Sequence, residues 1–284
     1  MTESQPAAGA SYIHGHHPSV ITSHSRRTLQ NSASYLIPHL TPYKTSNAPT
    51  ALLDAGCGPG TITCDLAAYL PNTQVTGIDY VLLPDGAPLA ASRGLKNVTF
   101  QEADVFHLPF ENNTFDIIHL HQVLQHLPTP PTAAIKELLR VCKPGGIIAA
   151  READFGGFTW FPESEEMDRW REVYISTAKY SGSDPFAGRK LQRWFMDCGV
   201  ERKDIVCTSS CWTYSAPEER EWWGKMWAER TLKSSFAELA VKSGAVKEQG
   251  ELEGVSRGFE KWVEAEDGWM MVPSGEIVVR VVKG

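Results

Sequence analysis

The segment Leu52-Leu53-Asp54-Ala55-Gly56-Cys57-Gly58-Pro59-Gly60 constrains the fold of this chain most. A short apolar run, Ala51–Ala55, enters a turn with glycine at positions 56, 58 and 60, and a helical pattern follows over Ile62–Leu70. Glycine reaches positive φ without strain and has no Cβ to hold a ligand off the backbone. Such a strand–turn–helix lets a nucleotide-like ligand lie across the carboxyl end of the first strand, where doubly wound sheets bind their ligands. A dinucleotide site calls for G-x-G-x-x-G, with the helix start aimed at a pyrophosphate. Here Thr61 follows Gly60 and the spacing is G-x-G-x-G, which disfavours NAD or FAD.

Strand and helix patterns alternate beyond the turn. Thr73–Ile78, Val98–Glu102, Phe115–Leu120 and Gly146–Ala150 read as strands. Thr132–Cys142 reads as a helix, closed by the stop signal Lys143-Pro144-Gly145-Gly146. Strands separated by helices indicate βαβ units and a parallel sheet covered on both faces. Upstream, residues 1–10 read as a flexible lead-in, and Ser25–Leu40 reads as a helix with Leu29, Ala33, Leu36 and Ile37 on one face. Two acids stand where such a sheet would use them. Asp79 closes the second strand, where a carboxylate can accept both ribose hydroxyls. Asp104 follows the third and could take an exocyclic amino proton from adenine.

The second half has a different character. All nine tryptophans lie after residue 150: Trp160, Trp170, Trp194, Trp212, Trp222, Trp223, Trp227, Trp262 and Trp269. Ser215-Ala216-Pro217-Glu218 resembles a capping box that opens a helix carrying Trp223, Trp227 and Phe236. A further helix is expected over Glu248–Glu264, and Glu276–Val282 reads as a strand returning to the sheet. Residues 217–268 then form a helical insertion between the last two strands. Trp222 and Trp223 are adjacent, so both cannot face one core, and at least one should be exposed or line a cavity. An aromatic pocket suits a planar or lipophilic acceptor, or an amine held by cation–π contact.

DAGCGPG, GID, EADVFHLPFENNTFDIIHLHQVLQHL and LLRVCKPGGIIAA resemble, in this order, the successive motifs of class I S-adenosylmethionine (SAM)-dependent methyltransferases, in particular the small-molecule branch like those of ubiquinone and menaquinone biosynthesis. The likeness is specific over residues 50–151, and YIHGHHPSV also resembles the lead-in of relatives. It implies an α/β, Rossmann-like fold: a mostly parallel seven-stranded sheet with an antiparallel C-terminal strand and a helical insertion. It divides the chain into a lead-in and lid helix (1–48), a SAM-binding core (49–151) and a tryptophan-rich substrate cap with the last strands (152–284). Asp54 and the Gly56, Cys57, Gly58, Gly60 turn would hold the methionine moiety, Asp79 and Tyr80 the ribose side, and Asp104 with the Val105 amide the adenine. His121 and Gln122, past the fourth strand, would line the methionine end. Relatives usually follow the ribose acid with a regular helix, whereas Pro84, Gly86 and Pro88 in YVLLPDGAP interrupt one here.

Methyl transfer from a sulfonium needs positioning and exclusion of water first, and a base only where the acceptor must lose a proton. Tyr12, His14, His16, His17, His121 and His126 are the candidates, since histidine titrates near neutrality. His17, Tyr12 and His121 lead, with His17 first because the N-terminal segment of such folds closes over the active site; His126 reads as structural. His-x-His-His lacks a matching Cys/His/Asp/Glu set, so no metal is expected. Arg151 and Glu152, ending the fifth strand, would orient the acceptor or pair with each other, and Cys207 and Cys211 read as small core or strand residues. The net charge of −7 argues against broad binding of nucleic acid or anionic membrane, and no apolar run reaches the roughly 18 residues of a membrane span. Scattered cysteines and the absence of a leader pattern in MTESQPAAGA suit a cytoplasmic protein. The expected function is methyl transfer from SAM to O, N or C of a small-molecule acceptor, aromatic or lipophilic, in natural-product (secondary) metabolism. A SAM-dependent cyclisation or rearrangement, or a non-catalytic SAM-binding subunit, is the alternative.

Overall fold

The computed structural model describes residues 18–46 and 48–283; Tyr12, His14, His16 and His17 lie outside them. In chain order the elements are α1 (Pro18–Ser25), α2 (Leu29–Ser32), α3 (Ile37–Lys44), β1 (Thr50–Ala55), α4 (Thr61–Tyr69), β2 (Thr73–Asp79), α5 (Gly86–Ser92), β3 (Val98–Glu102), β4 (Phe115–His121), α6 (Thr132–Val141) and β5 (Cys142–Ala153). They continue with β6 (Thr159–Phe161), α7 (Glu165–Tyr180), α8 (Ala187–Asp197), β7 (Ile205–Tyr214), α9 (Pro217–Lys233), α10 (Ser235–Lys242), α11 (Glu251–Glu264) and β8 (Trp269–Arg280).

Strands β3, β2, β1, β4 and β5 pair in that order, all parallel. Alternate residues of each strand serve opposite faces, as the pleat requires. Leu53, Ile118, Ile148 and Ile277 pack beneath Leu138 of α6 and Leu191 and Trp194 of α8. Leu52, Val75, Ile117 and Ile147 meet Leu29, Leu36 and Leu40 of the N-terminal helices and Leu66 of α4. These are the two helical layers expected over a parallel sheet.

The sheet has eight strands where seven were expected. The cause is the length of β8, which runs antiparallel to its neighbours. Its Ser274–Arg280 half pairs with β5, and Trp269–Met271 is left for the three residues of β6, while β7 covers its other edge throughout. The strands around it also extend past their expected limits, most clearly β5 and β8.

Other departures have local causes. The single helix expected over Ser25–Leu40 is broken. The Thr28 hydroxyl accepts from the Asn31 amide (3.1 Å), and the Asn31 side chain accepts from the Thr28 amide (2.8 Å), a reciprocal cap that starts α2 afresh. Residues 26–28 therefore form a turn. Helix α9 starts at Pro217, and the carboxylate that reaches back to the Ser215 and Ala216 amides is that of Glu219, not Glu218. The expected interruption is confined to residues 80–85: α5 begins at Gly86, and Pro88 lies within its first turn, where its missing N–H is tolerated.

Between β7 and β8, helices α9, α10 and α11 form the expected insertion and pack on α7. Their shared core holds Trp170, Tyr174, Trp223, Trp227, Phe236, Phe259 and Trp262. Trp170 meets Trp227 edge to face at a centroid separation of 4.8 Å and Phe259 at 5.0 Å. Such pairs add roughly 0.5–1.5 kcal/mol each to the area they bury. Trp194 belongs instead to the sheet core under α8.

Helix α8 can lie on the sheet because Gly188 crosses Gly275 of β8. A Cβ on Gly275 would overlap the Gly188 carbonyl, and one on Gly188 would come within 2.7 Å of the Glu152 carbonyl oxygen. Gly275→Ala should therefore lower the free energy of unfolding by about 1–3 kcal/mol through overpacking. Urea denaturation followed by tryptophan fluorescence measures this, and an unchanged midpoint would mean the crossing has slack.

Candidate functional site

The carboxyl ends of β1, β2 and β4 open on a cavity of about 240 Å³. Its wall includes Gly56, Gly58, Asp79, Tyr80, Asp104, Val105, His121 and Gln122. The glycine turn is held by the Gly56 and Cys57 amides, both donating to the Ile78 carbonyl oxygen at 2.8 Å. Its three glycines all have positive φ (77°, 51° and 78°), but the space around them differs. A Cβ on Gly56 would overlap Val123, and one on Gly60 would stand 2.8 Å from the Phe100 ring and 2.9 Å from the Gly86 Cα. At Gly58 it would meet nothing nearer than His24 Nδ1 at 3.9 Å, because that side is the open cavity. Asp79 Oδ2 accepts the Gly58 amide at 2.8 Å, which fixes the turn and turns the carboxylate toward the same space.

The remaining motif residues stand further back. Asp54 is buried, with Oδ2 accepting the Thr63 hydroxyl at 2.6 Å and Oδ1 bonded to His119 Nδ1 at 2.7 Å. With Cys57, whose thiol is pushed up by burial, it borders a recess of about 30 Å³ behind the turn. Gly60 lines neither space. Asp104 accepts the Phe106 amide at 2.9 Å, and Tyr80 is half exposed at the rim.

His121 ends β4 and borders both the 240 Å³ cavity and the recess. It is buried, and neither ring nitrogen has a hydrogen-bond partner among the described residues. Burial, reinforced by the positive charges of Arg27 and Arg151, holds its pKa well below the ordinary histidine value, so it is neutral. Gln122 adopts φ 55°, rare for a side chain of this kind, with its amide on the Arg151 carbonyl (2.8 Å) and its Oε1 accepting from Arg27 at 2.6 Å.

A larger cavity of about 690 Å³ lies on the cap side. Phe155, Phe158, Tyr174, Trp212, Tyr214, Trp222, Trp223 and Trp227 form its aromatic wall. His24, Arg27, Gln122 and His126 line both this cavity and the 240 Å³ one. They are the neck between the two. Trp223 is buried and Trp222 half-buried, so both neighbours reach the cavity, one from the core and one from the rim.

Arg151 and Glu152 do not pair with each other. Arg151 is fully buried and lies 3.5 Å from Glu276, with its Nε donating to Ser210 at 3.1 Å. Glu152 accepts the amides of Val123 (3.1 Å), Leu124 (2.9 Å) and Gln125 (3.1 Å). Cys207 and Cys211 are on β7 but exposed, so they are strand residues and not core. Among the described residues no group of three or more His, Cys, Asp or Glu could hold a metal, and no helix is long and apolar enough to cross a membrane.

The sequence reading passed over His24, Arg27 and Arg230. The only local signal was the Arg26-Arg27 pair ahead of Thr28-x-x-Asn31, a charged turn before a capping box. Arg230, on a helix expected to be packed by tryptophans, is buried and donates to Ser23 at 2.8 Å. That bond draws α1 onto α9.

Residues 46–212 match a family described as a methyltransferase domain. An uncharacterized methyltransferase of Schizosaccharomyces pombe is 31% identical over 98% of this chain and 99% of its own. A demethylmenaquinone methyltransferase of Bacillus cytotoxicus is 30% identical over 54% of this chain and 70% of its own. Among solved structures, phosphoethanolamine N-methyltransferase 2 of Haemonchus contortus in complex with SAM matches with a TM-score of 0.53 at 19% identity, covering 88% of this chain and 53% of that one.

The neck makes stability depend on pH. Burial, aided by the charges of Arg27 and Arg230, pushes the His126 pKa down to about 3, below its unfolded value. A lowered folded pKa gives stability that is complete above the unfolded pKa and is lost as pH falls toward the folded one. Between pH 7 and pH 5 this amounts to roughly 2 kcal/mol. Glu152, raised by burial to about 7, works the opposite way, losing stability as pH rises from its unfolded value to 7. The His126 contribution is therefore read from a comparison. Melting curves of wild type and His126→Gln should converge as pH drops from 7 to 5, and parallel curves would refute it.

Proposed function

Because the chain belongs to the methyltransferase-domain family and uses SAM as its methyl donor, we propose that the 240 Å³ cavity seats SAM and the 690 Å³ cavity a small planar or lipophilic acceptor. The observation that carries this reading is the shared neck of His24, Arg27, Gln122 and His126. Two spaces that meet at one constriction allow donor and acceptor to approach end to end with water kept out, which is what methyl transfer requires. SAM supplies an electrophilic methyl group on a sulfonium.

In this reading Asp79 accepts the ribose hydroxyls while Gly58 leaves room above the turn. Asp104 and the Val105 amide take the adenine edge, and Tyr80 closes the outer rim. His121, Gln122 and the turn residues surround the methionine end, with Asp54 bracing the turn through Thr63 and His119. The aromatic wall supports a planar acceptor, and the name of the Bacillus relative gives demethylmenaquinone, a lipophilic quinone, as what that protein methylates. We place the enzyme in the cytoplasm and in secondary metabolism, on the support of its scattered cysteines and its enlarged aromatic cap.

His121 borders the donor side and is held neutral with a depressed pKa, which makes it a weak base. Tyr12 and His17 are the alternatives, with His17 as the base of first choice where the acceptor must lose a proton. His17→Ala should then lower turnover by roughly 10²-fold and flatten its pH profile. A full rate with an unchanged profile would remove His17 from the chemistry.

The cofactor seat is tested by calorimetry. SAM and S-adenosylhomocysteine should bind at micromolar strength and NAD not at all. Asp79→Ala should weaken SAM by about 1.5–3 kcal/mol through loss of charged hydrogen bonds, and Gly58→Val should weaken it more. Wild-type affinity in both variants would show that SAM sits elsewhere. Supplying methyl-deuterated SAM with a panel of naphthols, quinols and aromatic acids, and following S-adenosylhomocysteine and product by mass spectrometry, tests the reaction. Substrate consumption without S-adenosylhomocysteine would favour the cyclisation reading instead.

A further inference from the structure

The sheet ends differently on its two sides. On one side β3 is five residues long and closes on Gln101 and Glu102, a short and charged edge of the kind that resists pairing with another chain. On the other side β7 runs for ten residues, Ile205–Tyr214, along β8. Its sequence, IVCTSSCWTY, contains no Pro, no Gly and no Lys, Arg, Asp or Glu. Val206 is half exposed, and Cys207, Thr208, Ser209 and Cys211 are exposed. Among the described residues, the backbone of residues 206–213 makes no hydrogen bond except to β8. The outer edge of β7 is therefore a row of peptide N–H and C=O groups without a protein partner among those residues.

Charge and register both favour a second copy of the same strand as the occupant of that edge. Around a two-fold axis, side chains near the centre of an antiparallel pair meet their own equivalents, so any charge there would face a like charge. Residues 205–214 carry none. Tyr214 stacks on Trp223 at 4.3 Å and is held by the cap, so pairing stops short of it. The stretch that remains, residues 205–213, is centred on Ser209, which is small and exposed.

We propose that β7 is a self-association surface, through which two copies of this chain join antiparallel about a two-fold axis at Ser209 and make one continuous sheet. This register sets Cys207 opposite Cys211 of the partner subunit, and Val206 opposite Trp212 of the partner subunit. Directly opposed residues of an antiparallel pair have Cα atoms about 4.5–5.5 Å apart, within the range a disulfide spans. Within one chain the two cysteines stand about 13 Å apart along the strand and cannot bridge. The inference goes beyond the assignment of the two cavities and does not depend on it. It also gives residues 210–213, in the wall of the 690 Å³ cavity, a second strand beside them.

Sedimentation velocity of the full chain over a range of concentrations tests the association. A monomer–dimer equilibrium is expected at micromolar concentrations, since an edge contact is at the small end of specific interfaces. Ser209→Lys places two like charges face to face at the axis and should weaken the dimer by about tenfold or more. The substituted side chain is exposed, so the melting temperature should stay close to wild type. Register is read with diamide, which takes two electrons and two protons from a pair of thiols to leave a disulfide. Cys207→Ser and Cys211→Ser should each give no linked dimer alone. The two variants mixed in dilute solution and then concentrated should give one, joined between the Cys211 and Cys207 that each retains. A monomer at every concentration, the result expected if residues 1–17 of the same chain take the edge, would overturn the proposal. So would a dimer that Ser209→Lys leaves intact, or linkage that is no greater in the mixture than in each variant alone.

Discussion

A single buried carboxylate organises the place where the two cavities meet. Glu152 lies at the end of β5 with no exposed surface, and it takes three consecutive amides of the segment that leaves β4. An uncompensated charge at that depth would be untenable, and three donors are what make it bearable. The resulting tension is visible in its pKa, which burial raises to about 7 against the pull of the amides. With residues 123–125 fixed in this way, Gln122 is held in its left-handed conformation and meets Arg27 from the N-terminal segment. The neck is thus a consequence of how β5 ends. The sheet sets the Gln122 side of the neck, while His24 and Arg27 enter from the N-terminal segment.

The cap is fastened to this centre by equally specific means. Arg151, the residue before Glu152, lies 3.5 Å from Glu276 on β8, and Glu276 in turn accepts the hydroxyls of Thr208 and Ser210 on β7. Trp212 on β7 packs over the Arg151 guanidinium at 4.4 Å and donates to the Asn31 carbonyl at 2.7 Å. Adjacent residues of one strand therefore point to the two halves of the site. Glu152 fixes Val123, in the wall of the 240 Å³ cavity, and Arg151 ties in the wall of the other cavity. Such a buried ion pair contributes little net stability, but it fixes register and orientation where the neighbouring groups are polar.

The parts of the site that were legible in the sequence are those built from short stretches. The glycine turn occupies nine consecutive residues, and Asp79 and Asp104 announce themselves by standing at strand ends. Of the residues singled out for the donor side, Gly56, Gly58, Asp79, Tyr80, Asp104, Val105, His121 and Gln122 line the 240 Å³ cavity, whereas Asp54 and Cys57 stand behind it. The larger cavity was not legible because its walls come from distant segments: residues 23–34, 210–214 and 219–230. Tryptophan content pointed to the correct half of the chain without distinguishing its uses. Trp170 and Trp262 fill the cap core, Trp194 fills the sheet core, and Trp212, Trp222, Trp223 and Trp227 reach the cavity. Which side of a helix a ring faces depends on partners far away in the chain. The break in the N-terminal helix was missed for the opposite reason. A reciprocal hydrogen bond between Thr28 and Asn31 outweighed an apolar periodicity that continues through it.

The position of β8 bears on how the protein comes to be folded. Residues 147–153 of β5 find their edge partner only in residues 274–280, after the whole helical insertion has been synthesised. Until then the growing sheet exposes a long apolar edge, the kind of surface that invites pairing with another chain. Closing such a sequence-distant pairing is slow because loop entropy must be lost before any contact rewards it. The cap is accordingly not a module that evolution or an engineer can exchange by cutting at the ends of its helices. A new cap must bring β7 and β8 with it, since α9, which carries Trp222, Trp223 and Trp227, follows β7, and β7 both presents Trp212 to the cavity and pairs with β8 in the sheet.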